Sequence, residues 1–206
     1  MKILNKVSSF SKKIIRGESP VKIKYNEMQW DEQFKKGNWD FLLRDHENIV
    51  LVTNILHNLA AKKEGKLKIL DVGCGNGALA SKLNRDVIGY FGADISQAAV
   101  DEAQERVKWG TFVQSNMDVD LPFSSEQFDV VLFCEVLIYV DYEHVLERYS
   151  RLLRTDGLYL ISLYDVWRTK IIWRRIIGSL DVITSVFVKN KTRNVGWNIL
   201  LGRYKK

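Results

Sequence analysis

Cysteine is scarce in this chain. Two residues among 206, Cys74 and Cys134, provide neither a disulfide framework nor metal-ligand spacing. Without such a framework a reducing cytoplasm is the expected setting. Histidine is nearly as rare: His46, His57 and His144 are scattered and form no triad or metal site with the cysteines and acids. Long apolar runs are missing too. None approaches the ~20 residues a membrane-spanning helix needs, and Asn5, Lys6, Ser8 and Ser9 interrupt any signal-peptide core. No internal repeat or low-complexity segment occurs. What is present is ordinary for a single globular domain: 46% hydrophobic and 27% charged residues, in a chain long enough to bury a core.

The charge is unevenly placed. Residues 1–24 carry a net +6, residues 25–165 a net −9 and residues 166–206 a net +9. An acidic body between two basic ends invites an anionic partner; solvated surface lysines are the alternative. Ile3, Val7, Phe10 and Ile14 recur at helical spacing among lysines, so residues 1–24 read as a basic amphipathic segment. Peripheral contact of residues 1–16 with the inner face of a membrane is one expectation for it.

Residues 25–65 hold the aromatics Tyr25, Trp30, Phe34, Trp39 and Phe41, followed by a helical pattern through Ile49, Val52, Ile55, Leu56 and Leu59. Strand and helix then alternate through residues 66–165. Strands are expected at Lys68–Val72, Val87–Ala93, Thr111–Gln114, Phe128–Phe133 and, after an Asp156-Gly157 turn, Leu158–Leu163; helices are expected at Ala78–Leu83, Gln97–Val107 and Glu143–Leu153. That alternation implies an α/β fold with a mostly parallel sheet and helices on both faces. Residues 166–206 break the pattern. A basic helix at Trp167–Ile177 precedes strand-like runs Val182–Val188 and Trp197–Leu201, which read as an antiparallel hairpin joined by Lys189–Gly196.

The chemistry centres on Asp71-Val72-Gly73-Cys74-Gly75-Asn76-Gly77. Glycines between a strand and a following helix let the backbone approach a ligand closely, because they tolerate positive φ and carry no Cβ. The spacing is G-x-G-x-G, whereas dinucleotide dehydrogenases use G-x-G-x-x-G to place a pyrophosphate at the helix start. An acid directly before the loop argues against a phosphate and for a cationic or amino-bearing ligand. Asp94 closes the next strand, where a carboxylate can accept both hydroxyls of a ribose. Helix capping is the alternative role, and Ser96 suits that better.

Ile69–Leu79 (ILDVGCGNGAL), Gly92–Ser96 (GADIS), Leu121-Pro122-Phe123, Phe128–Val140 (FDVVLFCEVLIYV) and Arg151–Ser162 (RLLRTDGLYLIS) follow one another in order. Together they resemble the successive motifs of class I S-adenosylmethionine-dependent methyltransferases. Trp30–Asp40 and Glu135–Val140 carry a narrower likeness to small bacterial nodulation N-methyltransferase-like and thiopurine or tellurite methyltransferase-like enzymes. The resemblance implies a Rossmann-like seven-stranded sheet ending in an antiparallel hairpin, with an N-terminal helical lid over it. It implies S-adenosyl-L-methionine as methyl donor and S-adenosyl-L-homocysteine as product. Asp71, Gly73 and Gly75 would sit against the amino-acid part, with Cys74 and Gly77 completing the loop. Asp94 would hold the ribose and Ile95 would pack on the adenine. Asn116 stands where relatives carry an acid for the adenine amino group, and Met117 would add backbone and apolar contact. Cys134 would line the methyl-transfer cleft, and Trp30 in the lid would lie over the cofactor.

Two candidates for catalysis follow the fourth strand. Glu135 would orient the sulfonium or an incoming amine, or act as a base; its alternative is a capping or ion-pair role. Tyr139 stands where many relatives carry His, and either positions a nucleophile or packs. The aromatics around Trp30 and Trp39 either offer a sulfonium a cation–π face or staple a helix to the sheet. The helix Trp167–Ile177 binds an anionic substrate, lies on a membrane, or packs with a basic side exposed. The expected acceptor is a nitrogen or oxygen of a small molecule or saccharide, and the basic ends lean toward an anionic one. Nucleic acid is disfavoured because no Asn-Pro-Pro-Tyr-type signature follows the fourth strand. The competing functions are a nicotinamide-dependent oxidoreductase, disfavoured by the glycine spacing, and a non-catalytic or membrane-surface-associated binding protein.

Overall fold

A computed structural model of the chain describes residues 26–44, 46–191 and 195–205; the basic segment expected over residues 1–24 lies outside them. Seven runs of β-branched and aliphatic residues form one sheet: β1 (Leu67–Val72), β2 (Ile88–Asp94), β3 (Thr111–Gln114), β4 (Phe128–Cys134), β5 (Leu153–Tyr164), β6 (Leu180–Lys189) and β7 (Gly196–Tyr204). Their spatial order is β3-β2-β1-β4-β5-β7-β6. The first five strands are parallel; β7 pairs antiparallel with both β5 and β6. The expected mostly parallel sheet with an antiparallel ending is what forms.

Parallel strands buried on both faces need apolar residues at every position. In β1, Ile69 faces one layer of the core and Leu70 the other; in β4, Leu132 and Phe133 divide the same way. On the first face lie α2 (Glu47–Ala60), through Val52, Leu56 and Ala60, and α3 (Gln97–Arg106), whose Ala103 abuts Gly77. The second face takes α4 (Tyr142–Ser150), through Val145, Leu146 and Tyr149, and α5 (Trp167–Ser179), through Trp173 and Ile176. Before these comes α1 (Glu27–Lys35), started by a reciprocal capping box between Asn26 and Gln29. It leads through a short 3₁₀ turn at Asp40–Leu43 into α2.

Three local expectations change. The helix expected at Glu143–Leu153 ends at Ser150, and Leu153 already begins β5. The helix expected at Ala78–Leu83 is a single 3₁₀ turn, Ala80–Lys82. The chain bends at Leu83 and closes no further turn, with Leu79 and Leu83 drawn into the core. The Asp156-Gly157 turn is absorbed into β5 as a bulge: pairing with β4 shifts from Phe128–Leu153 to Val130–Leu158. Asp129, the one charge in an apolar strand, ties the amino-terminal edge together. It accepts from Lys68 N (2.8 Å) and pairs with Lys63 (3.0 Å) and Arg154 (3.4 Å).

Candidate active site

The pairing register brings the carboxyl ends of β1, β2 and β4 to one edge, with Asp71 level with Gly92 and Leu132. The chain leaves β1 through Gly73, Gly75 and Gly77, whose φ angles are +79°, +54° and +74°. That left-handed run curls the loop back toward β2, where Gly73 N (2.7 Å) and Cys74 N (3.1 Å) both donate to Ala93 O. Close packing also demands glycine: a Cβ on Gly73 would lie 2.4 Å from Val136 Cγ1, and one on Gly77 3.1 Å from Ala103 Cα.

Asp94 is buried at the tip of β2. Its Oδ2 accepts from Gly75 N (2.9 Å) and its Oδ1 from Ser96 N (3.0 Å). Each oxygen retains a second acceptor site, so the carboxylate holds the loop and still has capacity for two hydroxyls. Burial pushes its affinity for a proton upward, opposed by the hydrogen bonds from Ser96, Gly75 and Ile95. Asp71 is buried too. Its Oδ2 accepts from the Tyr90 hydroxyl, and its Oδ1 has no hydrogen-bond partner among the described residues. Burial pushes the Asp71 carboxyl up to about 7; the Tyr90 hydrogen bond opposes this and the Asp94 charge adds to it. Two acids thus lie under a backbone cradle, and no cation balances either one among the described residues. A ligand carrying positive charge and vicinal hydroxyls matches what this pair of acids lacks.

The thiols are poor nucleophiles. Burial raises both Cys74 and Cys134 well above the usual thiol range, with Asp94 beside the former and Glu135 beside the latter adding to the effect. Ile95 is half-buried next to Asp94, and its carbonyl accepts from Gln114 Nε2 (3.1 Å). Asn116 spends its side-chain oxygen on Asp118 N (3.0 Å), while its own N–H bonds Asp120 Oδ2 (2.8 Å). One position earlier, Ser115 donates its N–H to Asp94 O (2.8 Å), and its buried hydroxyl has no partner among the described residues. Met117 packs half-buried against the α4 side of the core.

Helix α1 is fastened over the tips of β2 and β3. Asp31 Oδ1 accepts from Ser96 Oγ (2.6 Å) and Ala98 N (3.0 Å), and Gln114 Nε2 donates to Glu27 Oε1 (2.7 Å). Ser96 in turn caps α3 by accepting from Ala99 N (3.1 Å). These bonds hold the Asp31 carboxyl below the usual range, Ser96 contributing most. The aromatics then form a roof. Trp30 meets Trp39 at 5.6 Å and Tyr139 edge-on at 5.2 Å, Phe34 stacks on Trp39 at 6.1 Å, and the Phe34 ring edge is 3.6 Å from where a Cβ on Gly75 would be.

Glu135 follows β4 with a φ of +64°, which is strained for a side-chain-bearing residue. Its Oε1 accepts from Ser162 Oγ and its Oε2 from Tyr164 N, both at 2.7 Å. Asn48 of α2 donates to the same Ser162 hydroxyl at 3.4 Å. Burial pushes the Glu135 carboxyl up to about 7 despite these donors.

The structure therefore gathers Asp71, Gly73, Cys74, Gly75, Gly77, Asp94 and Ile95 at the carboxyl ends of β1 and β2, brings Trp30 against Tyr139 beside them, and puts Cys134 and Glu135 at the end of the neighbouring β4. Tyr90, Ser115, Asp31 and the Asn48–Ser162 pair were not foreseen. Ser96 was legible as a cap, but nothing local signals that its hydroxyl meets a carboxylate from α1.

A sheet in this order, with a glycine loop after its first strand and an acid at the tip of its second, has the class I S-adenosylmethionine-dependent methyltransferase fold. Residues 70–161 match a family described as a methyltransferase domain. The chain is similar to the phthiotriol/phenolphthiotriol dimycocerosates methyltransferase of Mycobacterium tuberculosis, 33% identical over 112 residues, which are 52% of this chain and 41% of that protein. It is also similar to the ubiquinone biosynthesis O-methyltransferase of Azorhizobium caulinodans, 33% identical over 122 residues, covering 55% and 47% respectively. The chain spans less than half the length of these curated relatives. Among solved structures, the N-methyltransferase NodS of Bradyrhizobium japonicum, in complex with S-adenosyl-L-homocysteine, superposes with a TM-score of 0.67 at 16% identity, covering 86% of this chain and 99% of that one. The magnesium protoporphyrin IX methyltransferase of Synechocystis, with S-adenosylmethionine bound, gives 0.64 at 20% identity, covering 86% and 96%. Enzymes of this family use S-adenosylmethionine. No described helix is long and apolar enough to cross a membrane.

Proposed function

We propose that this protein transfers a methyl group from S-adenosylmethionine to a nitrogen or oxygen of a small molecule or saccharide, one that carries negative charge. The carrying observation is the pair of buried acids, Asp71 and Asp94, beneath a glycine cradle and without a counter-charge among the described residues. When bound, the cofactor supplies an electrophilic methyl on a sulfonium. In this reading Asp94 accepts the ribose hydroxyls, Asp71 faces the amino-acid end, and Ser115 meets the adenine edge with its spare hydroxyl in place of Asn116. Trp30, Phe34 and Trp39 exclude water from above. Holding donor and acceptor in line supplies most of the rate enhancement for a reaction this intrinsically favourable.

Glu135 and Tyr139 are the proposed catalytic pair. With its carboxyl raised to about 7, Glu135 can take up a proton near neutral pH. Tyr139, edge-on to Trp30, positions the acceptor. The named relatives, a phthiotriol/phenolphthiotriol dimycocerosates methyltransferase and a ubiquinone biosynthesis O-methyltransferase, support an organic acceptor, and the net +9 of residues 166–206 supports a negatively charged one. Calorimetric titration with S-adenosylmethionine tests the first half of the reading, and transfer of radiolabelled methyl to a panel of amines, phenols and sugars tests the second. A chain that binds no S-adenosylmethionine would overturn the whole assignment.

A further inference from the structure

Helix α5 buries Thr169, Trp173 and Ile176 and turns a continuous stripe outward: Trp167, Lys170, Ile171, Arg174 and Arg175. Trp167 is 67% exposed and Ile171 52%, large apolar groups where a covered surface would be expected. The helix contains no acid. Its first turn lies at the same sheet edge as the cofactor pocket. Asp165, two residues before Trp167, donates its N–H to Gly196 O (2.7 Å) and accepts from Asn198 Nδ2 (3.1 Å). Across β7, Gly196 pairs with Lys189 and Asn198 with Phe187, which is itself 51% exposed. Trp167, Phe187 and Lys189 therefore share one corner beside the Tyr164–Glu135 contact, with Lys170 and Ile171 on the next turn of α5 and Arg174 on the turn after.

We propose that this corner docks on an anionic phospholipid surface. Tryptophan and aliphatic side chains protruding among cations suit the headgroup boundary, where rings bury and charges meet phosphates. The charge distribution aligns the molecule the same way: the +9 end is drawn to such a surface and the −9 body is repelled. A second copy of the chain is a poorer occupant, because a two-fold pairing of this corner would set its cations against their own copies. Docking in this pose turns the carboxyl edge toward lipid, so the acceptor would be an amphiphile taken from the bilayer. The docking stands independently of the methyl-transfer reading; the nature of the acceptor rests on it.

Full-chain protein is sedimented with phosphatidylcholine vesicles, with and without phosphatidylglycerol, at low and high salt. Wild type should pellet only with the anionic vesicles, and less so in salt. Trp167→Ser with Ile171→Ser, and separately Lys170→Glu with Arg174→Glu, should each lower the partition coefficient about tenfold or more. Both variants should titrate with S-adenosyl-L-homocysteine as wild type does, which verifies the fold. A wild type that does not pellet overturns the proposal, and so do variants that pellet like it, which would place binding elsewhere, such as residues 1–25. A wild-type dimer that Trp167→Ser with Ile171→Ser makes monomeric also overturns it, by assigning the corner to self-association. Failure of the methyl-transfer reading would show instead as no binding of S-adenosyl-L-homocysteine by any of these proteins.

Discussion

Replacing Asp94 by Ala separates the two jobs the structure gives this carboxylate. In the free protein the substitution strands Gly75 N–H and Ser96 N–H, which now donate at 2.9 and 3.0 Å. A buried donor without a partner costs about 1–3 kcal/mol. Water reaching the pair from the cleft keeps the sum near the low end, about 2 kcal/mol, which lowers the melting temperature of a chain this size by roughly 4–8 °C. Ligand binding should suffer more. Two ribose hydroxyls donating to an ionised carboxylate are worth about 1.5–3 kcal/mol each, so the Kd for S-adenosyl-L-homocysteine should rise about 10²–10⁴-fold. Asp94→Asn should fall between, keeping one acceptor and turning an amide NH₂ toward a backbone N–H. The assay is calorimetric titration well below the melting point of each variant, repeated with an analogue lacking both ribose hydroxyls. Wild type should discriminate strongly between the two ligands and Asp94→Ala hardly at all, closing a thermodynamic cycle. If Asp94→Ala melts early yet binds S-adenosyl-L-homocysteine within threefold of wild type, the carboxylate only holds the loop and the ribose role is refuted.

Asp71, pushed up to about 7, is protonated in the free protein at pH 6 and should ionise when a cationic ligand binds. S-adenosylmethionine affinity should therefore fall about tenfold per pH unit below 7, with close to one proton released; identical binding heats in buffers of different ionisation enthalpy would count against this. Glu135, raised from 4.5 to about 7, makes the folded state bind its proton more tightly than the unfolded chain does. Its contribution to stability should thus fall as pH rises from about 4.5 to 7 and level off above, by about 3 kcal/mol in all. Urea unfolding at pH 5 and pH 8 should show Glu135→Gln gaining about that much relative to wild type at the higher pH; an unchanged difference would refute the buried, protonated state. Gly73→Ala combines a φ of +79° with a Cβ placed 2.4 Å from Val136, whereas Gly65→Ala meets a similar φ of +75° with open space. Thermal melts should show about 1 kcal/mol lost at Gly65 and about 2–4 at Gly73; equal losses would mean Val136 moves aside freely.

The fold was largely readable because parallel strands covered on both faces must be apolar throughout, and runs such as Phe128–Phe133 are long enough to show it. The glycine loop and Asp94 were readable for a different reason: a carboxylate at a strand tip and glycines at fixed offsets have few structural uses. The polar partners were not readable. Tyr90 reaches Asp71 across adjacent strands, Asp31 reaches Ser96 from 65 residues away, and Ser162 links Glu135 to Asn48. Each depends on register and packing, which no local pattern encodes. Where β3 ends is equally hard to read, because a short strand has no internal marker of its last residue. Ser115 carries a hydroxyl with no partner among the described residues, while the amide oxygen of Asn116 is taken up by its own turn.

The place of β7, between β5 and β6, fixes an order of events. β6 is made earlier in the chain, yet its one strand neighbour among the described residues is β7, and β7 in turn leans on β5. The sheet edge beside α5 therefore cannot close progressively as the chain lengthens; it waits for a strand that arrives later and then inserts. Until it does, Leu160 and Leu163 on β5 lie along an open backbone ladder, and the exposed apolar residues of β6 have nothing to align them. A slow, late folding phase confined to this edge is the kinetic signature of that arrangement.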